Sequence, residues 1–304
     1  MGKTAKEILN DQFYNEEELK ADQFDDGIAN QLLNDFRQGK NDMQILAENN
    51  QWDILYHVSP IRKNILEWYD FDEKSSVLEI GAECGSLTDV LCRKTKYVTC
   101  IESSKKKSLI NAERNSQYDN LTIFIGNYPD IHFHEQFDYV IVMGGLEKAA
   151  QFMDSENPFK DFLSNIYAQL REGGKLLLAT ENKFGIKYWA GEIEKYSEKC
   201  FEGIEGYASV KEKGNTFSKK EIKDFITEAG FRDYTFYYPY PNYRFPEQLF
   251  SDDFLPKEDE IICSHNCYEN NRIQLFDETN AIRNIIRSNE FDFFSNSFFI
   301  EATK

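Results

Sequence analysis

A short segment of the chain, Val77 to Thr88, reads VLEIGAECGSLT and places two glycines between an apolar run and a helical pattern. The run from Ser76 to Ile80 predicts a buried strand. Leu87, Val90 and Leu91 fall on one face of a predicted helix. A strand that enters a helix through such a turn leaves backbone N–H groups free, and glycines let a ligand approach them closely. The segment therefore predicts a ligand-binding turn in an α/β fold.

The next predicted strand, Tyr97 to Ile101, is followed directly by Glu102. A carboxylate at the end of the second strand of a βαβ unit can accept hydrogen bonds from both hydroxyls of a ribose. The turn and Glu102 together predict a nucleoside site. A glycine-rich turn that binds no ligand is the alternative.

Glu83 occupies the position at which a three-glycine dinucleotide fingerprint has a glycine. A carboxylate at this position repels a pyrophosphate but not a ligand that carries a positive charge. The turn therefore favours a sulfonium cofactor and disfavours a nicotinamide dehydrogenase.

Predicted strands alternate with predicted helices along the rest of the chain. The helices include FKDFLSNIYAQLREGG, which ends on a glycine stop, and FSKKEIKDFITEAGF, which Gly230 closes. The predicted strands are 121–127, 137–145, 174–182, 234–240 and a last one in SNSFFIEATK. This alternation predicts a parallel sheet with helices on both faces.

We expect two parts along the chain. Residues 1–70 carry helical patterns and are predicted to form a lid segment, in which Ser59 is an N-cap and Pro60 lies in a first helical turn. Residues 71–304 are predicted to form the α/β domain. Its insertions at 183–215 and 242–292 are expected to form the acceptor cleft, since specificity usually resides in loops.

Composition and charge exclude several classes of protein. The net charge of −18 argues against a nucleic-acid partner, because phosphate contacts require a basic face. The one compact basic cluster, Lys105 to Lys107, is interpreted as solvated surface. The chain shows no apolar stretch of membrane-spanning length and no signal-peptide core, and its six cysteines lack a framework spacing. A cytoplasmic protein without a membrane span is predicted.

The order of elements and several motifs resemble the class I S-adenosylmethionine-dependent methyltransferases. VLEIGAECG is similar to their first motif, Glu102 to their ribose-binding acid, IGN with Asn127 to their adenine-contacting position, and REGGKLLLATEN to their fifth strand and the turn before it. The resemblance implies a Rossmann-like fold with a mostly parallel, seven-stranded sheet. It also implies S-adenosylmethionine as cofactor. The residues predicted to bind it are Tyr56, Glu79, Gly81, Ala82, Glu83, Cys84, Gly85, Glu102, Ser103, Gly126, Asn127 and Gly144.

Four further segments resemble a bacterial subgroup that occurs with, or fused to, glycosyltransferases of surface-polysaccharide assembly. They are WDILYHVSPIRKNILEWYDF, ENKFGIKYWAG, FEGIEGY and FYYPYPNYRFP. This resemblance implies O-methylation of a sugar or glycan acceptor and a glycosyltransferase as a candidate partner. The subgroup often carries an acidic–histidine pair after YWAG, whereas this chain continues EIEKYSEK. A non-catalytic methyltransferase-like module that scaffolds a glycan-assembly complex is therefore the alternative.

An alcohol acceptor benefits from a general base, and we expect it near the carboxyl ends of the strands. Glu181, which follows the fifth predicted strand, is the first candidate. His57 is the second. A structural carboxylate and a packed histidine are the respective alternatives. The predicted substrate-binding residues are Asn182, Lys183, Tyr188 and Arg244.

Two histidine and cysteine groupings were weighed as metal sites. His132 and His134 alternate without a nearby acid, and CSHNC at 263–267 offers three ligands where structural zinc needs four. No metal is predicted.

Overall fold

The computed structural model of the protein describes residues 4–15, 24–207, 214–261 and 275–304. The chain divides into two compact units, Met1–Ile141 and Val142–Lys304. The CSHNC segment at 263–267 lies outside the described residues.

The strands confirm the predicted α/β class, but the described residues contain nine of them where seven were expected. Their bounds are Leu9–Asn10 (β1), Ser76–Ile80 (β2), Tyr97–Glu102 (β3), Leu121–Ile125 (β4), Phe137–Met143 (β5), Leu170–Glu181 (β6), Asp233–Tyr240 (β7), Gln248–Ser251 (β8) and Ser297–Thr303 (β9). The order is β1-β4-β3-β2-β5 in the first unit and β6-β9-β7-β8 in the second. Strand β4 pairs in parallel with β1 and β3, and β3 pairs in parallel with β2. Strand β9 pairs antiparallel with β6 and β7, and β7 pairs antiparallel with β8.

Helices follow the strands as the alternation predicts. Those of the first unit are Ala5–Ile8 (α1), Asp26–Arg37 (α2), Asp42–Glu48 (α3), Trp52–Val58 (α4), Asn64–Glu67 (α5), Ser86–Lys94 (α6) and Lys105–Arg114 (α7). Those of the second unit are Ala149–Phe152 (α8), Pro158–Gln169 (α9), Ile186–Trp189 (α10), Lys219–Ala229 (α11), Glu278–Arg287 (α12) and Phe291–Phe294 (α13). Short 3₁₀ segments cover Pro60–Lys63, Tyr128–Asp130 and Leu146–Lys148.

One prediction about helix ends is wrong. Helix α9 ends at Gln169 because Leu170 is already extended, and Gly173 lies inside β6 rather than at a helix stop. Ser59 is the N-cap residue of the 3₁₀ turn and Pro60 lies in its first turn, as predicted, although the Ser59 side chain makes no capping hydrogen bond. Gly230 does close α11 in a left-handed conformation, as predicted.

The N-terminal helices share a core with the glycine turn that follows β2. Leu32 of α2, Ile45 of α3 and Ile54 of α4 pack in one cluster with Cys84 of the turn and Ile110 of α7. Burial of these side chains removes apolar surface from water, which stabilises the arrangement. The helices that precede β2 are therefore held beside the predicted cofactor turn.

Gly85 fixes the junction between this turn and α6. Its backbone is left-handed, with φ of 79°. A Cβ atom at this position would overlap the Asn111 side chain and lie 2.6 Å from the Asn115 amide. The same amide donates a hydrogen bond of 3.0 Å to the Gly85 carbonyl. A side chain at residue 85 is therefore incompatible with the packing of α7 against the turn.

We expect Gly85→Ala to lower the free energy of unfolding by about 2–5 kcal/mol. A left-handed backbone costs an alanine about 1–2 kcal/mol, and the added methyl group also forces two buried side chains to move. Gly39→Ala is the matched control, because Gly39 has φ of 77° and no atom within 4 Å of the new methyl position. Urea unfolding of both variants measures the difference. Equal losses of unfolding free energy in the two variants would show that the contacts of a methyl group at residue 85 with Asn111 and Asn115 cost no stability.

Candidate functional site

The glycine turn satisfies most of its own backbone donors, contrary to the expectation of free N–H groups. The N–H groups of Gly81 and Ala82 donate to the Ile101 carbonyl at 2.9 and 3.3 Å, and that of Gly85 donates to the Ala82 carbonyl. Gly81 is nevertheless exposed, with no atom within 4 Å of a Cβ position. A ligand can therefore lie directly against the Gly81 backbone.

Glu102 lies at the end of β3, where the sequence predicted a ribose-binding acid. Its two carboxylate oxygens accept hydrogen bonds from the Glu83 N–H at 2.8 Å and the Ser104 N–H at 2.9 Å. Each oxygen retains a second lone pair for a ribose hydroxyl. Ser103, between these residues, is exposed. The chain thus fixes the orientation of the Glu102 carboxylate without using its whole capacity as an acceptor.

Glu79 is buried beneath the turn. Its Oε2 atom accepts hydrogen bonds from the Thr88 hydroxyl at 2.5 Å and the Cys100 thiol at 3.2 Å. Burial raises the pKa of Glu79 to about 7. These contacts join β2, α6 and β3, so the structure places Glu79 in a supporting network rather than at an exposed surface.

Glu83 is not the isolated carboxylate that its sequence position suggested. It lies 2.9 Å from the Arg62 guanidinium and 4.0 Å from the Lys107 ammonium, and it accepts a 3.4 Å hydrogen bond from the Tyr56 hydroxyl. Burial alone would raise the pKa of Glu83, but Arg62 and Lys107 hold it well below the usual value. The assumption that Glu83 repels anions without compensation is therefore wrong.

The basic cluster at the start of α7 is partly solvated: Lys105 is exposed, whereas Lys106 and Lys107 are half-buried. The Lys105 ammonium lies 4.5 Å from the centre of the Tyr14 ring, and Lys106 pairs with Asp26 at 2.8 Å. Lys107 lies beside Glu83, as described. Each of the three cations has a partner within the first unit, so they do not form a phosphate-binding stripe.

Two predicted residues lie at the end of α4. The Tyr56 ring stacks on the Arg62 guanidinium, with 3.9 Å between the Arg62 Cζ atom and the ring centre. The His57 ring contacts the rings of Tyr56 and Phe24 edge to face, each at 5.0 Å. Burial lowers the pKa of His57 to about 3. His57 is thus neutral near pH 7 and too weak a base to favour it for catalysis.

The remaining predicted glycines meet the chain itself. A Cβ atom on Gly126 would lie 3.0 Å from the Phe13 Cβ atom, and one on Gly144, in the second unit, would overlap the Tyr243 hydroxyl. Asn127 is half-buried and begins the 3₁₀ turn that follows β4. Absence of a side chain at residues 126 and 144 is therefore explained by packing.

The second unit buries a cluster of charged residues around Glu181. This carboxylate lies 2.8 Å from the Lys187 ammonium and 3.2 Å from the Arg244 guanidinium, and it is 2% exposed. Burial opposes its ionisation, but Lys187 and then Arg244 outweigh this effect and lower the pKa of Glu181. Two cations that stabilise the carboxylate make it a weaker proton acceptor.

Glu147 was missed in the sequence, although it follows the strand that was predicted to end at Gly145. Its Oε1 atom accepts hydrogen bonds from the Thr180 hydroxyl at 2.7 Å and the Glu181 N–H at 3.0 Å. Its buried Oε2 atom has no hydrogen-bond partner among the described residues. Burial raises the pKa of Glu147. An acidic residue just after a predicted central strand was the available signal.

The other predicted acceptor residues make internal contacts. The Asn182 amide donates to the carbonyls of Phe293 and Ser295, and Lys183 pairs with Glu221 at 2.7 Å. Tyr188 is buried, which raises its pKa well above the usual value. Of the predicted substrate-binding set, the structure brings only Arg244 together with Glu181.

The chain matches the model of the family described as "Methyltransferase domain" over residues 51–235. The match covers more than half of the sequence, and the chain therefore belongs to this family. S-adenosylmethionine, the cofactor expected from the sequence, agrees with this family. The open backbone of Gly81 and the oriented carboxylate of Glu102 fit an adenosine-containing cofactor.

The relatives that match this chain differ in how much of the chain and of their own length is aligned. A ribosomal RNA small subunit methyltransferase A of Borreliella afzelii is 31% identical over 84 residues, which are 27% of this chain and 30% of that protein. An uncharacterized methyltransferase of Staphylococcus carnosus is 26% identical over 161 residues, which are 53% of this chain and 72% of that protein. The chain thus spans less than one third of the length of the first relative.

Among solved structures, phosphoethanolamine N-methyltransferase 1 of Haemonchus contortus, in complex with phosphoethanolamine and S-adenosylhomocysteine, is similar with a TM-score of 0.50 and 15% identity. The match covers 90% of this chain and 49% of that one. At this identity the similarity shows the fold alone. Within the described ranges, no helix has the length and apolarity to cross a membrane, and no group of three metal-ligating side chains is present.

We expect Glu102→Ala to raise the dissociation constant for S-adenosylhomocysteine about tenfold or more. Hydrogen bonds to a charged group contribute about 1.5–3 kcal/mol, and about 1.4 kcal/mol is one decade of affinity. Titration calorimetry measures the change. A thermal melt must accompany it, because Glu102 also holds the Glu83 and Ser104 N–H groups. Unchanged affinity in a folded variant would refute the ribose role.

We expect Glu79→Gln to flatten the dependence of stability on pH. The folded pKa of Glu79 is about 7, above its unfolded value. Its stabilising contribution is therefore complete below the unfolded pKa and is lost as the pH rises through about 7. The shift corresponds to about 3 kcal/mol. Gln retains an acceptor for Thr88 and Cys100.

Melting temperatures at pH 5 and pH 8 test this expectation. The unaltered protein should lose more stability between these values than Glu79→Gln does. Glu135→Gln, at an exposed position of the same unit, controls for the loss of one negative charge. Parallel melting curves for all three proteins would contradict the assignment of the titrating group.

Proposed function

We propose that the protein transfers the methyl group of S-adenosylmethionine to a hydroxyl of a sugar or glycan intermediate in bacterial surface-polysaccharide synthesis. The observation that carries the proposal is the buried carboxylate pair after β5 and β6, Glu147 and Glu181. Glu147 has an oxygen without a hydrogen-bond partner, and Glu181 lies between two cations. An unsatisfied buried acceptor fits a ligand that donates a hydrogen bond, as a hydroxyl does.

The two carboxylates suit different tasks. Glu147 combines an unpartnered oxygen with a pKa that burial raises, and a carboxylate with a raised pKa is a stronger proton acceptor once ionised. Glu181, whose negative charge Lys187 and Arg244 stabilise, suits the orientation of polar groups. We therefore assign proton acceptance to Glu147 and positioning to Glu181. The earlier assignment of the base to Glu181 or His57 is the competing hypothesis.

The chemistry requires little else from the protein. The bound cofactor supplies an electrophilic methyl group on a sulfonium. Positioning of the acceptor in line with that group provides much of the acceleration. Glu147 would take the hydroxyl proton while the methyl group passes from sulfur to the acceptor oxygen, so that the methyl–sulfur bond breaks and S-adenosylhomocysteine leaves. The buried setting of the carboxylates excludes water that would otherwise compete for the proton.

The resemblance of four segments to glycosyltransferase-associated methyltransferases supports the glycan acceptor and a glycosyltransferase partner. Cys84, Cys92 and Cys100 are buried thiols, which supports a reducing, cytoplasmic setting. A non-catalytic scaffold module is the second candidate. The observation that favours it is that neither base predicted from the sequence, Glu181 nor His57, has a raised pKa.

An RNA acceptor, which the name of the Borreliella relative suggests, has less support. The net charge of −18 opposes binding to a polyanion. Lys105, Lys106 and Lys107 are engaged by an aromatic ring and by carboxylates. Ribosomal RNA is therefore included in the test as an acceptor that we expect to receive no methyl group.

We expect transfer of radiolabelled methyl from S-adenosylmethionine to members of a panel of nucleotide sugars and oligosaccharides, and no transfer to ribosomal RNA. Glu147→Gln should lower turnover by about 10²–10⁴, with the affinity for S-adenosylhomocysteine nearly unchanged. Glu181→Gln removes the carboxylate beside Arg244 and one of the two carboxylates beside Lys187, and it should destabilise the fold by about 3–5 kcal/mol.

Glu172→Gln, at an exposed position of β6, is the matched control and should change neither quantity. A loss of turnover per folded molecule in Glu181→Gln or His57→Gln, but not in Glu147→Gln, would transfer the role of base. Binding of S-adenosylhomocysteine without methyl transfer to any acceptor would favour the scaffold module.

A further inference from the structure

Glu83 adopts a backbone conformation that a glycine would adopt without strain. Its φ is 48°, in the left-handed region, which costs a residue with a side chain about 1–2 kcal/mol. Strain of this kind persists where the surroundings impose it, and it is concentrated at functional sites. A carboxylate at this position of the cofactor turn therefore calls for a functional explanation.

The surroundings of Glu83 provide both signs of charge. Arg62 and Lys107 approach its carboxylate at 2.9 and 4.0 Å. The Arg62 side chain is 9% exposed, whereas the side chains of Glu83 and Lys107 are 28% and 23% exposed. An anion and two cations therefore lie side by side at a partly open surface of the turn.

The same cluster contains a polar atom that lacks a partner. His57 is 5% exposed, and its Nδ1 atom has no hydrogen-bond partner in the described part of the chain. The charges of Glu83, Arg62 and Lys107 all act on the ring. A buried polar atom without a partner in the protein is one that a bound polar group can satisfy.

We infer that Glu83, Arg62 and Lys107 form a receptor for the zwitterionic amino-acid end of the cofactor. The Glu83 carboxylate binds the α-ammonium group, and the two cations bind the α-carboxylate. His57 Nδ1 completes the site from the buried side. The charges of this end and of the cluster are complementary, and charge-assisted hydrogen bonds are the stronger kind.

This assignment explains why Glu83 is tolerated in the turn. A carboxylate that was merely unfavourable to a dinucleotide would need no cations around it. The exposure of Lys107 and Glu83 lets a ligand reach both side chains, and their separation of 4.0 Å is at the long end for an ion pair. The inference rests on the cofactor alone and is independent of the methyl acceptor.

Four ligands test the inference on the unaltered, full-length protein by titration calorimetry. S-adenosylhomocysteine carries both charges, its deaminated and decarboxylated analogues carry one each, and 5′-methylthioadenosine lacks the whole amino-acid end. We expect S-adenosylhomocysteine to bind about 30-fold or more tightly than 5′-methylthioadenosine, and each single-charge analogue to be weakened. Equal affinities for the first and last ligands would overturn the inference.

Two charge-neutralising variants then assign the partners. Arg62→Gln should weaken S-adenosylhomocysteine about tenfold, and the decarboxylated analogue should bind as well as before or better, since a cation near its ammonium is gone. Glu83→Gln should show the reverse pattern, with the deaminated analogue retained or improved. Lys63→Gln, which removes a neighbouring cation paired with Asp42 and Asp89, should change no affinity.

Binding of 5′-methylthioadenosine monitors the adenosine site in every variant and should stay within about twofold of the unaltered protein. If Arg62→Gln and Glu83→Gln weaken it as much as they weaken S-adenosylhomocysteine, the cluster only supports the turn and the inference is wrong. Should Arg62→Gln fail to fold, Arg62→Lys keeps the charge and must retain a preference for the carboxylate-bearing ligands. Neither failure would affect the proposed methyl transfer, because the adenosine site is measured separately.

Discussion

The first unit depends on how the carboxylate of Glu102 holds the glycine turn. One oxygen of this group accepts the Glu83 N–H and the other accepts the Ser104 N–H, so a single side chain fixes both the turn after β2 and the start of α7. The buried guanidinium of Arg114 holds the opposite side, where it donates to the Cys84 and His57 carbonyls. The N-terminal helices are thus joined to the cofactor turn by hydrogen bonds as well as by apolar packing.

The buried carboxylates show that ionisation in this protein is set by partners rather than by depth. Glu79 and Glu147 have only neutral hydrogen-bond donors, and burial raises the pKa of each. Glu181 is buried as well and Glu83 is partly buried, yet each lies between two cations that lower its pKa. Glu79 and Glu147 therefore contribute less to the stability of the fold as the pH rises, whereas Glu83 and Glu181 contribute less as the pH falls.

Local patterns in the sequence predicted the strands that form the centre of the fold. Strand β2 has the predicted bounds, and β3 is one residue longer than predicted because Glu102 completes its pairing with β4. Strand β1 was missed, because two residues carry no periodicity and only their pairing with β4 makes them a strand. The glycine stop after α9 was wrong, because a left-handed glycine serves equally well inside the irregular start of β6.

The sites were predictable only as far as local rules reach. A glycine turn and an acid after the next strand are short-range signals, and Gly81 and Glu102 were predicted from them. The partners of Glu83 and Glu147 are not short-range. Arg62 lies 21 residues before Glu83, and the Glu181 N–H that orients Glu147 comes 34 residues later. No pattern in the sequence relates such pairs, so the charge state of either carboxylate required the structure.

A net charge of −18 is compatible with a binding site for a charged cofactor because of how this chain pairs its cations. The buried cationic side chains of the described residues each pair with a carboxylate: Arg62 with Glu83, Arg114 with Asp42, and Lys187 and Arg244 with Glu181. Cations held in this way contribute little field at the surface, which stays negative and repels polyanions. Arg62 is one of these paired cations. Its side chain is only slightly exposed beside Glu83, so salt screens its charge weakly at this short distance. An acidic chain can therefore keep a positive group beside a carboxylate of the turn while its net charge opposes the binding of polyanions.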